Sequence, residues 1–254
     1  MGYEGAVAET LEIERAELLA LLMKAGAASA EPQLRPRDHA DPAPLSFAQE
    51  RLWVLDQLQP GGSEYNIPVF VRLNGELDQV ALDRSLDELM RRHETLRMRT
   101  AVEDGEPAQI VEPHVAVELV QLDLTELAGE AQQSELRHQL AEFTGKPFDL
   151  AVAPLFRAAL LKLSEQDHVI LLVLHHMIFD GWSLGILIRD LSALYTAYSR
   201  GTVPSLPPLA IQYADYAIWQ RQRLQGAVLE RQLSYWRSRF SGVPAMLDLP
   251  TDRP

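Results

Sequence analysis

Two adjacent histidines and an aspartate four residues on, His175, His176 and Asp180, are the side chains of this sequence best suited to proton chemistry. They stand in LLVLHHMIFDGWS, at the end of an unbroken aliphatic run from Val169 to Leu174. A short run with no polar alternation predicts a strand buried on both faces. Successive strand residues point to opposite faces, so His175 continues the side of Val169, Leu171 and Val173, and His176 the side of Ile170, Leu172 and Leu174. The two imidazoles therefore do different work. The same divergence argues against a shared metal ion held by His175, His176 and Asp180, for which no fourth ligand is evident. A serine hydrolase needs a nucleophile on a sharp strand-to-helix turn, and no GxSxG occurs. With no cysteine there is no thiolate nucleophile, thiolate metal site or disulfide. An imidazole that takes or positions a proton remains.

The elements that must hold these groups are legible on both sides. Asp180 and Gly181 mark a turn, and Leu184, Leu187, Ile188, Leu191, Leu194, Tyr195 and Tyr198 recur at steps of three and four, so a helix starts there. A strand–loop–helix junction is where open α/β sheets place their chemistry. Upstream, Leu155–Leu163 forms a hairpin with the histidine strand, near the centre of a sheet. Ser46 caps a helix whose apolar face is Phe47, Leu52, Leu55 and Leu58, with Trp53 off that stripe. Asn66–Leu73 alternates as a half-buried strand, and Leu82, Leu86, Leu89 and Met90 mark a helix. Leu96–Val102 and Pro107–Val111 form a hairpin around Asp104–Gly105. A short strand near Val117–Leu122 and a helix through Leu136, Leu140 and Phe143, stopped by Gly145 and Pro147, come next. After a Pro-rich loop at Gly201–Pro208, helices cover Ile211–Gln222 and Glu230–Phe240.

Composition sets the bounds. A chain of 254 residues, 47% hydrophobic, can bury a large core. Its net charge of −13 repels phosphate and speaks against nucleic acid as a partner. No apolar run approaches the ~18 residues of a membrane span, and the acidic N-terminus is unlike a signal peptide, so the expected location is the cytoplasm. Residues 1–43 read as a separate piece: a short amphipathic helix ending near Gly26, then a Pro- and Ala-rich linker, with the compact domain spanning 44–254.

The order HHxxxDG resembles the acyltransferase signature of the chloramphenicol acetyltransferase superfamily, and the GWS that follows resembles the condensation domains of nonribosomal peptide synthetases. SFAQERLWVL at Ser46–Leu55, RRHETLR at Arg91–Arg97 and YADYAIWQ at Tyr213–Gln220 resemble the other sequence blocks of those domains, in the same order. The resemblance implies an α/β, two-layer α+β fold, one chloramphenicol acetyltransferase-like lobe with a mixed, mostly antiparallel sheet flanked by helices. The ending LPTDRP is similar to the crossover between the two lobes of these domains, which would make the chain the N-terminal lobe. The implied reaction is attack of an acceptor amine on a donor thioester without a covalent enzyme intermediate, with water kept away. Both substrates would arrive on the phosphopantetheine arms of carrier proteins, with no cofactor bound by the domain itself.

By the same resemblance His176 is catalytic and His175 supports the loop. Asp180 shapes the loop through a salt bridge to Arg92 or Arg97, a plain helix cap being the other reading. His93 is read as structural. Gly181 permits close approach of the arm or serves as a turn residue of positive φ. Trp182, Ser183, Tyr213 and Trp219 are candidate channel residues that could equally pack or cap. A catalytically incomplete lobe acting as an interaction fragment, or an epimerization relative, stands as the alternative. GWS and SFAQERLW fit condensation better than epimerization, and heterocyclization relatives lack the histidines.

Overall fold

The structure, a computed structural model, describes residues 32–37 and 42–244. The expected helix ending near Gly26 and the LPTDRP ending lie outside the described residues. The chain divides into two compact units, Leu34–Arg221 and one made of Met1–Gln33 with Gln222–Pro254.

The larger unit is built on a four-stranded sheet in the order β2-β7-β6-β5, formed by β2 (Asn66–Asn74), β5 (Leu119–Asp123), β6 (Phe156–Ser164) and β7 (Asp167–His175). β7 lies antiparallel between β2 and β6, with Leu174 opposite Ile67 on one side and Phe156 on the other. Flanked on both edges and covered on both faces, it has no wet side, which is why its sequence does not alternate. One face, Ile170, Leu172 and Leu174, packs with Leu82, Leu86 and Leu89 of α2 (Gln79–Arg92) and Leu187 and Leu194 of α4 (Gly181–Ser199). The other, Val169, Leu171 and Val173, packs with Leu136 and Phe143 of α3 (Gly129–Gly145). Each such side chain contributes roughly 1.5–3 kcal/mol on burial. β5 and β6 are the one parallel pair among these strands. Parallel neighbours need a crossover, and α3 supplies it.

The expected hairpin is present as β3 (Met98–Glu103) and β4 (Glu106–Val111), but it does not join the main sheet. With β1 (Ala43–Pro44) it forms a second, three-stranded sheet in the order β1-β4-β3. Its turn places Asp104 and Gly105 at φ 52° and 86°, the two successive positive values that a two-residue hairpin turn requires.

The first helix departs from its expected face. In α1 (Phe47–Leu58) the buried residues are Gln49 and Leu52, whereas Phe47, Leu55 and Leu58 are exposed and Trp53 is half-buried against the core. A polar residue is inside because every strong polar group of Gln49 is used. Its carbonyl takes the Ser46 N–H at 3.0 Å, its backbone N–H bonds Ser46 Oγ at 3.2 Å, and Nε2 reaches the Met177 carbonyl at 3.3 Å. Hydropathy along one helix cannot register partners that arrive from Met177, more than a hundred residues on. After α5 (Tyr213–Arg223) comes α6 (Gly226–Phe240), on which Trp236 stacks on Phe240 with ring centres 5.5 Å apart. No helix among the described residues is long and apolar enough to cross a membrane.

Candidate active site

The end of β7 is pinned by backbone bonds to both neighbours: the His175 N–H to the Leu155 carbonyl at 3.0 Å, the His176 N–H to the Tyr65 carbonyl at 2.8 Å. A tight turn follows, closed by the Ile178 N–H on the His175 carbonyl, and throws the two rings apart. His175 is buried, edge-on to Tyr65 and Phe148 with ring centres 6.3 and 6.2 Å away. Its Nδ1 accepts the Met177 N–H at 3.1 Å, so the proton of the neutral ring sits on Nε2. Burial, with a smaller contribution from His176, pushes its pKa down to about 4.

That shift makes His175 an acid-sensitive prop of the turn. A histidine whose folded pKa lies below the unfolded value of ~6.5 takes up protons preferentially on unfolding, so stability is complete above pH ~6.5 and falls as pH drops toward 4. His175→Asn removes that titration. The melting temperature of the variant is expected to vary less between pH 6.5 and 4.5 than that of the unaltered protein, and an unchanged slope would place the titrating group elsewhere.

His176 is exposed and lines a cavity of about 460 Å³. Its Nδ1 lies 2.8 Å from the Phe179 carbonyl oxygen, which can only accept, so Nδ1 carries the hydrogen and Nε2 keeps the lone pair. Gln49 and Leu52 of α1, Thr95, Ile186 of α4, and Tyr213 and Tyr216 of α5 complete the principal walls. The lining is largely apolar with a few convergent polar groups, the usual character of a substrate pocket. Tyr213 hydroxyl is 3.0 Å from Ser46 Oγ, and burial pushes its pKa up.

No arginine among the described residues holds Asp180. It is the N-cap of α4, its Oδ1 accepting the Ser183 N–H at 2.9 Å and the Ser183 hydroxyl at 2.7 Å. Those bonds hold its carboxyl below the usual range. Arg92 instead donates through Nε to Asp190 at 2.9 Å, and Arg97 gives its guanidinium to the carbonyls of Met90 and Glu112. The physical reason is distance from water: Asp180 is exposed at a helix start and is served by local donors, whereas Asp190 has an exposure of 0% inside the fold and needs a cation.

Of the candidate channel residues, Ser183 and Tyr213 line the cavity. Trp182 stands 85% exposed, and Trp219 lies behind the wall, its ring 5.7 Å from that of Tyr216. Gly181 has no positive φ, and a Cβ built on it would meet nothing within 4 Å, so no protein atom requires a glycine there.

One group escaped the sequence reading. Asp190 collects Arg92, the Arg189 Nε at 3.0 Å and the His93 Nε2 at 3.0 Å. Burial pushes the Asp190 carboxyl up, but the three donors outweigh it and hold it below the ordinary value. Burial, helped by the nearby Arg92 and Arg189 charges, lowers the His93 pKa against the pull of the Asp190 carboxylate, to which His93 donates through Nε2. A signal existed: Asp190 sits on the apolar stripe of α4, between Leu187 and Leu194, where an unpaired carboxylate would be costly.

A sequence model of the condensation domain family matches residues 39–254. The chain belongs to this family. It is 47% identical over 219 residues to a linear gramicidin synthase of Brevibacillus parabrevis, covering 86% of this chain and 3% of that protein. To the dimodular nonribosomal peptide synthase of Bacillus subtilis it is 42% identical over 232 residues, 89% of this chain and 10% of that protein. Among solved structures, the X-domain from teicoplanin biosynthesis superposes with a TM-score of 0.74 at 32% identity, over 88% of this chain and 48% of that one. The first condensation domain of the CDA synthetase gives 0.72 at 24% identity, over 84% and 53%, a likeness of fold. This condensation domain chain thus spans about half the length of these solved structures and a small part of the synthetases. Condensation domains of nonribosomal peptide synthetases are acyltransferases that form amide bonds, and their fold is that of the chloramphenicol acetyltransferase superfamily.

Proposed function

We propose that this lobe supplies His176 as the proton acceptor for peptide-bond formation between a donor acyl or peptidyl thioester and the amine of an acceptor aminoacyl thioester. The observation that carries the reading is the bond from His176 Nδ1 to the Phe179 carbonyl, which leaves Nε2 basic on a residue lining a cavity. The amine nitrogen attacks the thioester carbon, Nε2 takes the proton that the nitrogen sheds, and collapse breaks the C–S bond. The thiolate leaves and recovers that proton, so the imidazole ends as it began. Orientation by the Phe179 carbonyl keeps the same nitrogen available in each turnover. His175 and the Asp180 cap hold the turn rather than touch the reacting atoms. Both thioesters are carried on phosphopantetheine arms of carrier proteins, which are the partners of the site together with a C-terminal lobe.

The test is reconstitution. Because His176 is exposed on this lobe, water reaches it, and the local dielectric is higher than a closed tunnel would give. The 1–254 chain is expected to melt cooperatively yet form no dipeptide between loaded carrier proteins, and to gain activity when the C-terminal lobe is supplied. Condensation by the chain alone would show that one lobe suffices. Inactivity of the two lobes together, with both carriers loaded, would overturn the reading.

A further inference from the structure

The family match begins at residue 39, and the Ala- and Pro-rich composition ahead of it reads as a passive linker. Arg37, within that stretch, is tied to the fold. Its side chain is 8% exposed, its backbone N–H donates to Asp215 Oδ1 at 3.0 Å, Nη1 reaches the same oxygen at 3.1 Å, and Nη2 reaches Glu94 Oε2 at 2.8 Å. Asp215 is itself buried in the first turn of α5, where its Oδ2 takes the Gln212 N–H at 2.8 Å. The Gln212 side chain bonds the Glu94 N–H at 3.2 Å and the Arg92 carbonyl at 3.1 Å. One guanidinium therefore ties the start of α5, which carries Gln212, Tyr213 and Tyr216 into the cavity wall, to the turn after His93, which forms another wall.

We propose that Arg37 is a positioning residue of the condensation site: it fixes the Gln212–Tyr216 wall against the His93–Thr95 wall and so sets the opening through which a pantetheine-borne acyl group is held. An arginine suits the task because its planar fork spans two carboxylates, where a lysine offers a point charge to one. Without the guanidinium, the bridge that joins Asp215 to Glu94 is lost, and the start of α5 relaxes away from the turn. A displacement of that size, remote from the chemistry, is enough to lower rates and binding substantially.

This inference rests on the proposed function, and the experiment separates the two. Arg37→Ala and Arg37→Lys are placed in the two-lobed domain, and two quantities are read: the Kd for a soluble N-acetyl-aminoacyl pantetheine amide, and kcat and KM for condensation between loaded carriers. Arg37→Ala is expected to weaken probe binding about 10-fold and to raise KM more than it lowers kcat, with Arg37→Lys intermediate. A folded Arg37→Ala with unaltered Kd and KM, or a lowered melting temperature with unaltered Kd, would overturn the proposal. If Arg37→Ala does not fold, Arg37→Lys decides by the same criteria. If the unaltered domain neither bound the probe nor condensed, the proposed function would fall, and this inference with it.

Discussion

His176→Ala is expected to lower single-turnover condensation by about 10²-fold or more while the melting temperature stays within a few degrees of the unaltered domain. The ring is exposed and, among the described residues, makes one hydrogen bond, to the Phe179 carbonyl, so little folding energy depends on it. His176→Asn sharpens the experiment. Its amide N–H can keep the bond to Phe179, yet it brings no basic nitrogen to the cavity, so it should be as inactive as alanine. Retained condensation in His176→Asn would show that the residue positions the turn and does not carry the proton. Retained condensation in both variants would remove His176 from the chemistry altogether. His175→Asn should behave in the opposite manner, altering acid stability through a ring that lies on the other face of the strand.

The largest stability effect is expected at Asp190, and not at the motif aspartate. Arg92→Met leaves a carboxylate of 0% exposure without its principal cation, and breaking a buried pair in this way costs about 3–5 kcal/mol. The measurement is denaturant unfolding of the domain, with the midpoint read against the unaltered protein. Combining Arg92→Met with Asp190→Leu should recover much of the loss, because no uncompensated charge then remains inside. Asp180→Ala, by comparison, removes a cap on the surface and should cost about 1 kcal/mol. If Asp180→Ala were the more damaging of the two, the ion pair assigned to Asp190 would not be the main tie between α2 and α4. The acid side has a defined sign as well. A carboxyl held below its ordinary value stabilises the fold above the unfolded pKa of ~3.9, and that contribution disappears as pH falls through the folded value.

These two experiments fall on opposite sides of what a linear reading can find. The unbroken aliphatic run Val169–Leu174 announced a strand with two buried faces, and the opposite placement of His175 and His176 follows from strand geometry alone. The helix after Gly181, the Ser46 cap and the Asp104–Gly105 turn are local events, decided by neighbours within four residues, and they stand where the sequence puts them. The residues proposed for the chemistry also lie in one contiguous stretch, so they could be named before any fold was known.

The sequence by itself determined the elements, the central hairpin and the identity of the imidazole pair, because short-range periodicity and turn chemistry are written in consecutive residues. Tertiary structure alone decided the partners. Which carboxylate Arg92 neutralises depends on two helices meeting 98 residues apart, and nothing in RRHETLR distinguishes Asp180 from Asp190. Gln49 went inside because the Met177 carbonyl came to it, and Arg37 is buried because Asp215, 178 residues away, meets its guanidinium. Hydropathy measures what a residue loses on leaving water. It carries no record of the polar group that will be waiting inside, and that compensation settles the places of Asp190 and Asp215.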